Sequence, residues 1–214
     1  MANDISWRSV LHSLLVVNEG PWRWRVGLEA GLATGLPLAV MTLAGHQSLG
    51  LIASLGTFTA LYSPHLRRSE RLGVLSRVGA GMIFACLVGV SFSHNTWLSL
   101  AGLMLGTSLA CLLILGLQVG PPGPMPFILV NGVSGHLSSP ARLGGPHMDG
   151  LTVLLMVTAG VVSSLLVIGL PLLLPAVRRR EGQPRALGEL FGKLEFEGMR
   201  RWVAIRVIGA VFLA

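Results

Sequence analysis

One acidic residue of this sequence lies inside a long apolar stretch. Glu29 follows Arg25 by four residues and sits near the start of the first apolar stretch. An acid in such surroundings can take up and release a proton during a transport cycle, which makes Glu29 a candidate coupling residue. The same spacing also suits an intrahelical ion pair with Arg25, a purely structural role. Both interpretations stay open on the sequence alone.

Six polar residues on two short apolar stretches form a second group of candidates. Hydroxyl, amide and imidazole groups are costly to bury in lipid, so they often line the path of a polar substrate. The alternative is that they bond to helix backbones or across helix contacts. The substrate-path candidates are Ser54, Thr57 and Thr59 in the first short stretch and Asn131, Ser134 and His136 in the second.

The sequence offers no catalytic or metal-binding spacing beside these candidates. It has no Ser/His pair, no paired carboxylates and no His-rich cluster on facing positions of the apolar stretches. Cys86 and Cys111 lie inside apolar stretches without His or Cys at ligand spacing, and we interpret both as small core residues. We predict no catalytic residue, no metal and no cofactor. An intramembrane enzyme is therefore the weakest functional class.

The composition excludes a soluble protein of this length. Hydrophobic residues make up 52% of the 214 residues and charged residues 12%, and the mean hydropathy is +0.70. Such a chain has too few polar residues to cover a water-facing surface. The net charge of +7 would suggest nucleic acid in a soluble protein, but here arginines flank apolar stretches, where they meet anionic headgroups. We expect a lipid bilayer as partner and no nucleic acid.

Six apolar stretches predict an all-α fold, a polytopic bundle of six transmembrane helices. At 1.5 Å per residue the second and fifth reach only about 21 to 23 Å, less than the ~30 Å hydrocarbon core. These two spans must thin the bilayer, be shielded by their neighbours or line a cavity. The predicted spans are 26–44, 48–62, 74–92, 97–119, 125–138 and 151–170.

Basic residues set the predicted orientation. All but one of the 16 Lys and Arg residues fall on one side of the alternating path, which the positive-inside rule assigns to the cytoplasm. Arg142 is the exception and is predicted to lie outside. We expect a multi-pass protein of the bacterial inner membrane with both termini in the cytoplasm. The arginines predicted to set topology and contact lipid headgroups are Arg67, Arg68, Arg71, Arg178, Arg179 and Arg180.

Four regions make up the predicted organisation. Residues 1–21 have the helical spacing of an amphipathic helix on the membrane surface, with a disordered tail as the alternative. Residues 22–176 form the six-span domain, and 177–201 form a charged cytoplasmic linker. Residues 202–214 begin a further apolar helix of 13 residues, too short to span a bilayer. We interpret it as truncated, with a C-terminal interfacial helix as the alternative.

An offset of 76 residues indicates an internal repeat. It places Ser63-Pro64 on Ser139-Pro140 and superimposes the two short spans. Each unit then holds three spans, an odd number, so the second unit is inverted relative to the first, as in many secondary transporters. A six-span bundle without this inverted 3+3 repeat is the alternative.

Glycines at every fourth residue mark two of the spans. Gly27, Gly31 and Gly35 lie in the first span, and Gly102 and Gly106 lie in the fourth. Such stripes allow two helix backbones to approach closely. We expect both stripes to lie at helix contacts.

The chain resembles the fusaric acid resistance protein-like (FUSC) family, which is grouped with aromatic acid exporters. The resemblance covers most of the length. It implies a six-span bundle that exports small organic or aromatic acids with energy from an ion gradient. Residues 47–50, Gln-Ser-Leu-Gly, depart from the family, where an aromatic residue is usual. The resemblance is carried by Arg25-Val-Gly-Leu-Glu-Ala-Gly-Leu-Ala, Arg67-Arg68-Ser-Glu-Arg71, the Gly79 to Gly89 run and Pro121-Pro122-Gly123.

Two functional classes follow from these patterns. The first is a secondary transporter for small organic acids, with its path along the second and fifth spans. The second is a non-transporting scaffold or assembly subunit, in which the glycine stripes pack subunits and the arginines bind lipid or a partner. In either case we expect a homo-oligomer or a partner bundle missing from this chain.

Overall fold

The computed structural model describes residues 24–115, 122–175, 177 and 199–213. Within these residues every regular element is helical, so the predicted all-α class is confirmed. The predicted surface helix at 1–21, the cluster Arg178, Arg179 and Arg180, and nearly all of the predicted linker lie outside the described residues.

Seven α-helices occur in the described parts of the chain. Three of them change into a tighter or wider helical form at their C-terminal ends. In chain order they are α1 (Trp24–Leu43), α2 (Gln47–Thr57, continued by the 3-10 helix Phe58–Leu61), α3 (Arg68–Ser91), α4 (Thr96–Ala110, continued by the π-helix Cys111–Leu115), α5 (Met125–Ser138), α6 (Gly150–Gly169, continued by the 3-10 helix Leu170–Leu173) and α7 (Met199–Leu213).

Each of the six predicted spans coincides with one of the helices α1 to α6. Four segments are long and apolar enough to cross a membrane, namely Trp24–Leu43, Arg68–Ser91, Thr96–Ile114 and Gly150–Leu173. α2 and α5 have only 11 and 14 residues, as their short apolar stretches predict. Membrane crossing by α2 and α5 stays a prediction.

Polar side chains begin two of these helices. Asn95 caps α4, because its side chain accepts a hydrogen bond from the Trp97 amide at 3.1 Å. Asp149 caps α6 and accepts bonds from the amide and the hydroxyl of Thr152, both at 3.1 Å. These bonds favour the charged carboxylate and lower the pKa of Asp149 below its ordinary value.

α3 and α6 form the centre of the bundle. Leu75 and Met82 of α3 and Val153 and Val157 of α6 are fully buried. α5 packs against α3, and α2 packs against α6. α1 contacts α2 and α6, while α4 contacts α5 and α3. α1 and α4 lie at the periphery, where their leucines form an exposed apolar surface suited to lipid.

Glycines allow the two closest helix pairs to form. A Cβ atom on Gly56 of α2 would lie 2.0 Å from the carbonyl oxygen of Val157 on α6. A Cβ atom on Gly89 of α3 would lie 2.2 Å from the carbonyl oxygen of Asn131 on α5. Both distances are far below contact distance, so a larger residue would force the backbones apart.

The glycine stripe of α4 lies at helix contacts, as predicted. A Cβ atom on Gly102 would lie 2.6 Å from the Cβ of Phe92, and one on Gly106 would lie 1.9 Å from the side-chain nitrogen of Asn131. These glycines therefore make room for side chains of α3 and α5.

The stripe of α1 does not lie at a contact within the described structure, so that prediction is wrong for this chain's own helices. No atom lies within 4 Å of a Cβ position at Gly27, Gly31 or Gly35. The reason is the orientation of α1, which buries Glu29, Ala33 and Pro37.

Loop contacts distinguish the two ends of the bundle. At one end the starts of α1, α3 and α5 meet the end of α2, through hydrogen bonds made by Arg71 and Tyr62. At the other end, Arg142 in the loop between α5 and α6 donates to the carbonyl of His94 between α3 and α4, at 3.2 Å. We call these the Glu29 end and the Arg142 end.

α7 lies alongside α4. It contacts both the α-helical part of α4 and the π-helical segment Cys111–Leu115. Trp202, near the start of α7, is exposed, and Val211, near its end, faces the bundle. Residues 199–213 thus form a further apolar helix that packs along α4.

Candidate functional site

Three arginines surround Glu29. Its Oε1 lies 2.9 Å from Nε of Arg25 and 3.1 Å from Nη2 of Arg68, and its Oε2 lies 2.5 Å from Nη1 of Arg71. Glu29 itself is 4% exposed. A carboxylate buried to this degree is stable only with such partners. The cluster joins the first turns of α1 and α3.

Arg71 is the deepest member of this cluster and also holds the end of α2. Only 1% of Arg71 is exposed. Its Nη2 donates to the carbonyl of Ala60 at 2.5 Å, and its Nε donates to the carbonyl of Tyr62 at 3.2 Å. These carbonyls end the 3-10 continuation of α2, where backbone acceptors lack helical partners and the helix dipole favours a cation.

Sequence reasoning found part of this cluster. The predicted ion pair between Arg25 and Glu29 is confirmed, and the proposed coupling role stays a prediction. Arg68 and Arg71 were expected at lipid headgroups, but Arg71 points into the bundle because it pairs with Glu29. The available signal was the three-residue spacing of Arg68 and Arg71, which puts both on one helix face. Nothing in the sequence around Arg71 indicates that its partner is Glu29, which lies on another helix.

Tyr62 connects the two short helices at the Glu29 end. Its side chain is fully buried, and its hydroxyl donates to the carbonyl of Gly123, just before α5. Its ring meets Phe127 of α5 edge to face, with 6.0 Å between the ring centroids. Tyr62 was not among the predicted site residues. The Pro-Pro-Gly-Pro approach to α5 thus supplies an acceptor that its sequence did not reveal.

The three candidates on α2 bond within the bundle. Ser54 and Thr59 donate to backbone carbonyls three residues earlier, at 2.6 and 2.8 Å. The hydroxyls of Thr57 and Thr34 lie 2.8 Å apart and join α2 to α1. None of the three candidates lines the cavities described below. Their role along a substrate path stays a prediction.

The three candidates on α5 occupy different surroundings. Asn131 is 2% exposed, and its Nδ2 donates to the carbonyl of Gly102 on α4 at 3.1 Å. Ser134 is fully buried beside Cys86 of α3. His136 lies in the last turn of α5 and is exposed. The structure brings Asn131 and His136 together at one cavity and leaves Ser134 outside it.

A cavity of about 370 Å³ lies between α4 and α5 toward the Arg142 end. Its size is in the range of small-molecule sites. Leucines of α4 and Val211 of α7 form apolar walls, and among the described residues no Lys, Arg, Asp or Glu lines it. The cavity therefore suits a molecule with an apolar body and a few hydrogen-bonding groups. Its polar lining is Ser93, Thr96, Ser99, Asn131, His136 and Ser139.

Two smaller cavities adjoin it at the same end. One, of about 320 Å³, is lined by His94, His147 and Asp149 among others, and the other, of about 200 Å³, includes Arg142. Imidazole and guanidinium groups thus line the two smaller cavities. The Arg142 end contains cavities with both apolar and polar lining, whereas at the Glu29 end α2 and α5 are joined through Tyr62.

Comparisons with known proteins identify the chain only broadly. No family model and no solved structure matches it. Over 136 residues it is 31% identical to the uncharacterized membrane protein YvaC of Bacillus subtilis (strain 168). The match covers 64% of this chain and 22% of that relative, so the chain spans about a fifth of the relative's length. With its four membrane-length helices, the chain is a membrane protein. Its resemblance to the FUSC family is not confirmed and stays a prediction.

Proposed function

We propose that this chain is a secondary transporter domain that exports small organic or aromatic acids through a path between two inverted units of three helices. The observation that carries the proposal is the contrast between the two ends. A cavity of about 370 Å³ with apolar walls and several polar side chains lies toward the Arg142 end, while Tyr62 joins α2 to α5 at the Glu29 end. Alternating access requires a path that is open at one end and closed at the other. The substrate class rests on the FUSC resemblance.

Helix pairing supports the inverted units. If α1 to α3 form one unit and α4 to α6 the other, then α2 packs on α6 as α5 packs on α3. Likewise α1 contacts α2 and α6 as α4 contacts α5 and α3, and α3 meets α6 at the centre. Exchanging the two units leaves this set of pairs unchanged. A two-fold relation between the units predicts that property.

The two units differ where their short helices end. The offset of 76 residues places Tyr62, which follows α2, on Ser138 at the end of α5. Tyr62 is large and bonds across to Gly123, whereas Ser138 lines the cavity of about 320 Å³. A large residue at one end and a small one at the other supports a path closed at the Glu29 end.

We assign the Glu29 end to the cytoplasm. Arg25, Arg67, Arg68 and Arg71 lie at this end and Arg142 lies at the other, which supports the assignment by the positive-inside rule. The exposed residues His65 and Ala141 mark the two ends for single-cysteine labelling. An impermeant thiol reagent outside the cell should label Ala141→Cys and spare His65→Cys. The reverse pattern would contradict the assignment.

Glu29 is the proposed coupling residue. Its carboxylate holds Arg71, and Arg71 holds the carbonyls of Ala60 and Tyr62 at the end of α2. The hydroxyl of Tyr62 in turn holds the start of α5. Neutralising Glu29 would remove the anionic partner of Arg71 and so loosen this connected set. A proton taken up at Glu29 would thereby favour opening of the Glu29 end.

A membrane scaffold is the second candidate function. α1 favours it, because its glycines face open space and its neighbouring leucines, such as Leu28 and Leu32, are more than half exposed. Such a face can pack against another bundle or a second copy of the chain. The same face can also contact lipid only.

Counterflow in proteoliposomes separates the two candidates. The 214-residue chain is reconstituted with unlabelled benzoate inside, and uptake of radiolabelled benzoate is followed over time, then repeated with a panel of small acids. A transporter gives transient accumulation above that of protein-free liposomes. Folded protein that gives no accumulation with any acid of the panel would contradict transport and favour the scaffold.

A further inference from the structure

The arginine cluster around Glu29 has the donor geometry of an anion site. Its three arginines come from two helices and converge on the two oxygens of one carboxylate, at 2.5 to 3.1 Å. Guanidinium groups bind planar or tetrahedral oxyanions through paired N–H donors, which makes carboxylate and phosphate their preferred partners. With three positive groups and one negative, these four side chains sum to +2.

Part of this site is held in place without Glu29. Arg71 has two backbone acceptors, the carbonyls of Ala60 and Tyr62. These two bonds do not involve the carboxylate, so loss of Glu29 weakens the hold on the guanidinium but leaves a buried cation that is still partly oriented. A binding group that is already oriented needs little ordering when a ligand arrives.

The site is closed at Arg71 and reachable at Arg25. The exposed fractions of the side chains rise from 2% at Arg71 through 17% at Arg68 to 50% at Arg25. An anion can therefore approach along Arg25 and reach Arg71, whose side chain is buried away from solvent. Electrostatic interactions are strongest at such a buried position.

From this geometry we propose that Arg25, Arg68 and Arg71 form an anion-binding site whose built-in occupant is the Glu29 carboxylate. A carboxylate or phosphate group that is not part of the chain takes this place when Glu29 is withdrawn. The group can belong to a small organic acid or to a lipid headgroup. The proposal concerns binding and does not require that the chain transports.

Rescue by small anions tests this site. Glu29→Ala leaves a space of about carboxylate size between the arginines, so formate and acetate should restore the missing contacts. In a neutral detergent, increasing formate should raise the thermal unfolding midpoint of Glu29→Ala by several degrees, to a plateau. Chloride at equal ionic strength should not. A thiol-reactive dye reports unfolding, because Cys86 and Cys111 are buried free thiols.

A cavity elsewhere in the core is the matched control. Met82→Ala removes a fully buried side chain of α3 and should lower the midpoint without any response to formate. If Glu29→Ala does not fold, Glu29→Ser takes its place, since it also leaves the space open, and it should respond to formate more strongly than the parent chain. Absence of rescue in the Glu29 variants, by formate, acetate and anionic lipid alike, would overturn the proposal. So would an equal response of Met82→Ala.

Lipid nanodiscs identify the source of the anion. Glu29→Ala is compared in phosphatidylcholine alone and in phosphatidylcholine mixed with phosphatidylglycerol. If phosphatidylglycerol raises the midpoint and removes the response to formate, the site takes a lipid headgroup. If the response to formate persists, the site takes a soluble acid. Counterflow is measured separately, so failure of transport leaves the result of this test intact.

Discussion

Arg71 shows how a single buried charge can organise several helices. Its guanidinium bonds to one carboxylate of α1 and to two carbonyls at the end of α2. Without Arg71, the two carbonyls would lose this donor and one oxygen of the Glu29 carboxylate would lose its guanidinium partner, all in buried surroundings. A buried ion pair is weak evidence for net stability, yet removal of one partner leaves the other uncompensated. The position of the end of α2 therefore depends on Arg71.

Replacement of Arg71 should be far more costly than replacement of Arg25. Arg71→Ala leaves Glu29 with Arg25 and Arg68 as partners and takes a donor away from two carbonyls, and we expect a loss of about 3–5 kcal/mol, the usual cost of breaking a buried pair. Arg25 is half exposed, so Arg25→Ala should cost about 0–1 kcal/mol. Thermal unfolding with the thiol-reactive dye compares the two variants. Equal losses would contradict the role given to Arg71.

Local spacing predicted only the local half of this cluster. Glu29 and Arg25 are one helical turn apart, so their pair could be read from the sequence. Arg71 meets Glu29 across 42 positions of the chain, and no periodic pattern reports such a contact. The same applies to Tyr62 and Gly123, 61 positions apart. Arg71 and Tyr62 join the helices at the Glu29 end, and only the folded structure shows these contacts.

The packing of α2 on α6 depends on backbone contact. Gly56 approaches the carbonyl of Val157, and on the facing helix a Cβ atom on Gly160 would lie 1.9 Å from the carbonyl of Ala53. The two glycines thus face one another across the pair. In the described structure, the exposed glycines on α1 have no neighbouring helix within 4 Å of a Cβ position. Substitutions at the two kinds of glycine can therefore be compared within the same bundle.

Gly56→Ala should destabilise the bundle, and Gly27→Ala should not. The added methyl group at Gly56 would lie 2.0 Å from a backbone oxygen, so α2 must move away, at a cost of about 1–3 kcal/mol or more. At Gly27 the methyl group meets open space, and alanine favours the helix. Unfolding midpoints of the two variants test the contact. A Gly56→Ala midpoint equal to that of the parent would contradict the close packing.

Tyr62→Phe should open the Glu29 end without disturbing the fold. The variant loses the hydroxyl bond to Gly123 and keeps the ring against Phe127. A cysteine at the fully buried Thr59, with Cys86 and Cys111 replaced by alanine, reports access. A permeant thiol reagent should label Thr59→Cys faster in the Tyr62→Phe background. His65→Cys, which is exposed, serves as control and should label at one rate in both backgrounds.

The same labelling rate at Thr59→Cys with and without the Tyr62 hydroxyl would show that this bond does not close the path. A faster rate at His65→Cys as well would indicate general loosening of the fold.

Hydropathy predicted the helices well and their charged ends poorly. α2 was expected at 48–62 and occurs at Gln47–Leu61, because glycine and proline signals flank a clear apolar run. α3 was expected from residue 74 but begins at Arg68. Its first turn carries charge and is still buried, since its partners come from α1 and α2. From its charged residues alone, such a turn is expected to face solvent. Its burial becomes clear only from its contacts with α1 and α2 in the folded structure.

Across the whole molecule, the six helices α1 to α6 pair in a pattern that exchange of two three-helix units leaves unchanged. The ends do not follow this symmetry. Tyr62 joins the short helices at one end, and the cavities lie at the other. Sequence offset alone could superimpose the short helices, but it could not show which end Tyr62 joins, because the matching position carries a different side chain, Ser138.

If the cavity between α4 and α5 belongs to a substrate path, substitutions in its lining should impair efflux. Asn131→Leu is nearly isosteric, and His136→Leu removes the imidazole. His46→Leu is the control, since His46 is exposed at the same end and lies outside the described lining of the cavity. Membrane abundance is measured beside the efflux of a panel of aromatic acids.

We expect normal abundance for all three variants, strongly reduced efflux for Asn131→Leu and His136→Leu, and parental efflux for His46→Leu. Full efflux of every exported acid by both cavity variants, at normal abundance, would contradict the path.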